Sequence, residues 1–138
     1  MQWRDGLLVG ACLLLGPPVA ALVSYVGFGV TRHGVASIQF FDLQFYLATL
    51  QFAYIVSWLP MLVAGIANAI VSRFASEPWR LAAALPAGAV PVVIQLGWLA
   101  EDEVSSRQMN DLFVLGLAGA VASLVCVALV EAFGPKLA

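Results

Sequence analysis

The chain reads as four long apolar runs divided by short charged punctuation. Residues 6–31 carry no charge between Asp5 and Arg32, and residues 43–72 none between Asp42 and Arg73. The third run is 81–100, between Arg80 and Glu101, and the fourth is 112–130, between Asp111 and Glu131. A hydrocarbon core about 30 Å thick needs about 20 helical residues, and each run is long enough. The apolar residues are continuous rather than alternating, which argues against a transmembrane β-barrel.

The second run opens on Leu43, Gln44, Phe45 and Tyr46, a mixture of aromatic and polar side chains suited to the membrane–water interface. Its span therefore starts late, with the hydrocarbon part at 47–71. The predicted spans are 6–31, 45–72, 81–100 and 112–130. Short connections make consecutive helices antiparallel neighbours. The expected fold class is thus an all-α membrane protein, four transmembrane helices in an up-down bundle, forming a single integral membrane domain over 1–138. Arg4 followed by an apolar stretch and Val19-Ala20-Ala21 has some features of a cleavable signal. The apolar stretch is longer than a signal's usual 7–15 residues and continues past that site, so it reads as a retained helix.

Proline modifies this picture in three spans. Pro17 and Pro18 interrupt the first, Pro60 the second, and Pro86 and Pro91 the third. Each lacks a backbone donor and crowds the preceding turn, so three of the four helices are expected to be kinked. Neighbouring helices have to satisfy the carbonyls that proline frees.

Composition agrees with the pattern: 62% of residues are hydrophobic and 10% charged, against about 25% charged in soluble domains. The net charge of −2 and six scattered Lys and Arg residues offer no footprint for nucleic acid. Arg4, Arg73, Arg80 and Lys136 fall on one side of the membrane, Arg32 and Arg107 on the other. The positive-inside rule then places both termini in the cytoplasm. The short loops and small size point to a bacterial inner membrane.

Candidate chemistry is sparse. No Asp, Glu, Lys or Arg lies deep in a span, whereas ion-coupled transport usually relies on such a group. His33 is the sole histidine, so a bis-histidine haem is not expected. Cys12 and Cys126 lie in apolar runs and read as small hydrophobes; a disulfide would require adjacent helices at matching depth. The acidic cluster Glu101, Asp102 and Glu103 lacks a calcium-loop spacing. No catalytic residue, metal site or cofactor is expected.

The polar groups inside the spans suit helix contacts or a ligand. Gln44, Gln51 and Trp58 are spaced seven residues apart, which turns a helix by about 700° and puts them on one face. Asn68 and Gln95 are further amides able to bond across helices, with Gln95 a candidate partner for a second-span amide. In the fourth span Gly116 with Ala120, and Gly119 with Ser123, form small-xxx-small pairs that allow close helix approach; Gly6 and Gly10 make another at the start of the first. These features predict a non-catalytic subunit that packs against a larger membrane complex, with lipid, other membrane subunits or further copies of itself as partners. The alternatives are a small oligomeric transporter, channel or lipid-handling protein, or a quinone- or lipid-binding subunit.

Overall fold

A computed structural model describes residues 3–36, 42–99 and 106–137. Four helices make up nearly all of the described residues: α1 (Trp3–His33), α2 (Leu43–Phe74), α3 (Glu77–Leu99) and α4 (Ser106–Leu137). Each is long and apolar enough to cross a membrane, so the chain is a small integral membrane protein with an all-α, four-helix fold. The acidic cluster 101–103 lies outside the described residues.

The helices outrun the spans because polar ends continue the backbone ladder beyond the apolar residues. α1 stops at Gly34, whose φ of 79° is open to glycine at no steric cost. Its N–H donates to the Val30 carbonyl at 2.9 Å, closing the left-handed helix terminus. Asp42 starts α2, its carboxylate accepting from the Gln44 and Phe45 amides at 2.9 and 3.3 Å, which supplies two otherwise orphaned donors. Pro78 sits in the first turn of α3, where its missing N–H has no helical partner to lose.

Neighbours in chain order are neighbours in space, and α4 returns to pack on α1. α2 and α4 meet briefly across one diagonal, leaving α1 and α3 on the other. Ion pairs mark the ends: Arg4, Arg73, Arg80 and Glu131 cluster where the chain begins and finishes, while Arg32 pairs with Asp111 at the opposite end. We call these the terminal end and the far end. The central packing helix is α4, more than half of whose apolar window is buried (56%), while α3 buries 11% of its own.

Small side chains set the helix spacing. A Cβ on Gly65 would stand 2.9 Å from the Val9 backbone, so α1 and α2 touch nearly backbone to backbone. Gly88 and Gly119 play this part between α3 and α4, each lying against the other's carbonyl. Leu8, Ala69, Ala84, Val127 and Val130 form the core of the terminal half. Ala20, Met61, Ala118 and Ala122 form a second cluster at mid-height.

The prolines lie inside continuous helices, and two of the carbonyls they free find donors on a neighbouring helix. Pro18 cannot bond Leu14, and the Tyr54 hydroxyl donates to that carbonyl at 2.7 Å. Pro60 cannot bond Val56, and the Gln95 amide donates there at 3.2 Å. Gln95 therefore serves an α2 carbonyl rather than the second-span amide expected for it, because Pro60 has left the backbone acceptor open. The other end of the Gln95 amide, Oε1, is buried with no partner among the described residues.

A cavity in the far half of the bundle as candidate functional site

From mid-height to the far end the bundle interior is not filled. α1 turns Ala20, Ala21, Ser24 and Gly29 inward, and α2 turns Thr49, Ala53 and Ser57 toward them. These residues are small, while other bulky members of α2, among them Ile55, Trp58 and Leu59, are exposed on the bundle surface; the aromatic rings of Tyr25, Phe28, Phe45 and Phe52 complete the lining. The missing side-chain volume appears as a cavity of about 990 Å³, at the upper end of the range for small-molecule sites.

The cavity has a floor, walls and a mouth. Its floor is Met61, fully buried, whose sulfur is seated against Gly16. Val92, Leu115, Ala118 and Gly119 close the side formed by α3 and α4. Arg32 and His33 border it at the far end, with Ala36 and Phe45. From Met61 to Phe45 the helical rise gives a depth of about 24 Å, against about 15 Å of hydrocarbon per leaflet. The space is therefore deep, apolar and headed by a guanidinium and an imidazole.

Polar groups on the lining are sparse. Thr49 bonds its own helix through the Phe45 carbonyl at 2.8 Å. The Tyr25 hydroxyl accepts from the Asp42 amide at 3.3 Å, and its ring tilts against Phe45 with centroids 5.8 Å apart. These contacts tie the start of α2 to α1 beside the mouth. Arg32 lies 5.2 Å over the Phe28 ring and reaches Asp111 with one nitrogen at 3.5 Å. A guanidinium has five N–H donors, so this single long contact leaves capacity for another acceptor.

The polar residues singled out from the sequence do not converge. Gln44, Gln51 and Trp58 share a face as their spacing implies, and that face is exposed on the outside of the bundle. Asn68 and Ser123 do meet, the amide donating to the buried hydroxyl at 2.8 Å. Gly116, Gly119 and Ala120 pack within the chain, Gly116 against Val93 and Gly119 against α3 at Gly88, with Ala120 buried. Gly6 and Gly10 have open space where a side chain would stand. Cys12 and Cys126 are both fully buried as free thiols. The Cys126 thiol donates to the Ala11 carbonyl, beside Cys12, at 3.4 Å, so α1 and α4 meet at this depth.

Two features escaped the sequence reading. Charged residues at the span ends pair with one another: Arg4 and Arg80 both bond Glu131, and Arg73 bonds Asp5 at 2.6 Å. The cavity was the second. Its signal was the small-residue series Ala20, Ala21, Ser24, Gly29 on α1 facing Thr49, Ala53, Ser57 on α2. Among the described residues no group of three metal-ligating side chains comes together. Comparison with family models, curated proteins and solved structures finds no match to this chain.

Proposed function

We propose that this protein is a non-catalytic, lipid-handling membrane protein that holds the hydrophobic tail of an amphiphile in its far-half cavity. One observation carries the reading: a cavity of about 990 Å³, lined by small and apolar side chains, inside a bundle whose other half is closely packed. A tail entering it exchanges lipid contacts for similarly apolar ones, while small residues provide width without polar cost. The absence of an ionisable group deep in the spans favours holding over ion-coupled pumping.

Native mass spectrometry of the intact chain, released from nanodiscs of mixed phospholipid and prenylquinone, tests this. Wild type should retain an adduct of amphiphile mass. Ala53→Phe, which places a ring in the cavity from the α2 wall, should lose it while keeping helical content. Equal retention by both proteins would show that the adduct sits elsewhere.

A second reading has its own observation. Gln44, Gln51 and Trp58 form an exposed face on α2, and an amide facing hydrocarbon lacks a bonding partner. A neighbouring membrane subunit covering that face would make the chain an accessory subunit. Purification in mild detergent, with and without Gln51→Leu, tests it: a stoichiometric partner lost in the variant supports this reading.

A further inference from the structure

Resting on the tail-binding reading, we infer that the cavity selects acidic amphiphiles, with a phosphate or carboxylate headgroup held at the mouth by Arg32 and His33. The two residues lie on the cavity lining at its far end, where the hydrophobic span gives way to charge. Of the carboxylates nearby, one caps a helix and the other makes one long contact with Arg32 itself. Asp42 caps α2 through the Gln44 and Phe45 amides, and Asp111 meets Arg32 only at 3.5 Å. Neither carboxylate is on the lining, and the charged side chain that borders the cavity is the Arg32 guanidinium.

The geometry of the mouth suits an oxyanion. Arg32 rests over the Phe28 ring, its guanidinium carbon 5.2 Å from the centroid. Planar guanidinium forks bind carboxylate and phosphate oxygens with two parallel bonds. His33 adds a ring N–H on the next residue. A tail directed toward Met61 puts its headgroup at this level, because apolar lining and cationic mouth follow one another along α1 from Ala20 to His33. A neutral amphiphile would fill the same cavity but leave the Arg32 guanidinium facing water.

The test uses full-length protein in nanodiscs of phosphatidylcholine doped with phosphatidylglycerol, and in a parallel arm with oleate. Adducts retained in native mass spectra are compared with the doping ratio. Wild type should enrich the acidic species roughly two- to fivefold, the range accessible to a solvent-exposed charge pair. Arg32→Gln should return the ratio to that of the bilayer while total adduct persists, and Arg32→Lys should keep part of the enrichment. Preference for phosphatidylglycerol or for oleate identifies the source as bilayer phospholipid or free fatty acid, and either result supports the inference. Adducts in simple proportion to the bilayer, or a preference for added prenylquinone, overturn headgroup selection and leave the tail-binding reading standing. A wild type that retains no amphiphile overturns both.

Discussion

The terminal and far halves of this bundle draw on the same residue types and differ in how they are closed. In the terminal half, Leu8, Ala84 and Val127 are buried, and two arginines converge on Glu131. Asp5, almost fully buried, is bonded by Arg73. In the far half, α1 and α2 face each other with alanine, serine, threonine and glycine across a cavity, and among the described residues a single long ion pair joins α1 to α4 there. In lipid, apolar content alone gives helices no reason to close, because the tails are as apolar as leucine. Closure comes from fitted small residues and paired charges. Where these lapse, the bundle stays open.

The largest effect expected from this contrast is a matched pair of substitutions. Ala84→Phe forces a ring into a fully buried site of the terminal core and should destabilise by at least about 3 kcal/mol, the upper end for overpacking. Ala53→Phe directs the same ring into the cavity and should stay within about 0.5 kcal/mol of wild type. Denaturant titrations in micelles, followed by circular dichroism, measure both. Similar losses in the two variants would remove the distinction between the halves.

The ends should differ next. Glu131→Gln leaves Arg4 and Arg80 together without their shared carboxylate. A loss of about 1.5–3 kcal/mol follows, the worth of hydrogen bonds to charged groups. Asp111→Asn removes the far pair, whose partners are 34% and 50% exposed, and should cost less than about 1 kcal/mol. Repeating both titrations at high salt sharpens the comparison, since the exposed pair alone should lose its contribution.

Smaller again is Asn68→Ala, which deprives buried Ser123 of its bond. Interhelical bonds in membranes average about 0.6 kcal/mol and reach about 1.7. A loss in that range is expected, read from the same titration. Smallest is Gln51→Leu, on the exposed face of α2. It should leave the stability of the isolated chain within about 0.5 kcal/mol. A clear loss in the isolated chain would place Gln51 in a contact within the bundle.

The helices were legible because crossing a bilayer demands about 20 consecutive apolar residues, a signal that needs no knowledge of packing. Their ends were placed short because charge-free length measures hydrocarbon, whereas Asp42 and Gly34 set where the backbone ladder starts and stops. Face relations were half legible. Seven-residue spacing grouped Gln44, Gln51 and Trp58, but spacing does not say whether a face points to lipid or to neighbours. Asn68 and Ser123 stood as separate candidates, since their meeting depends on how α2 and α4 approach. The cavity was hidden for a related reason: a void consists of what facing side chains fail to fill, and Ala53 on α2 has meaning only once Ala21 and Ser24 on α1 are known to stand near it.

The proline contacts bear on how such a chain enters the bilayer. The open carbonyl of α1 at Leu14 is met by Tyr54 of α2, and that of α2 at Val56 by Gln95 of α3. Each donor arrives with the following helix. A span released alone into lipid would carry an unsatisfied acceptor where no water can serve it, at a cost of several kcal/mol. Successive hairpins thus have reason to remain together at the insertion machinery until the next helix emerges. On this account biogenesis follows chain order: α1 waits for α2, α2 for α3, and α4 arrives last, its Gly119 closing against Gly88 of α3.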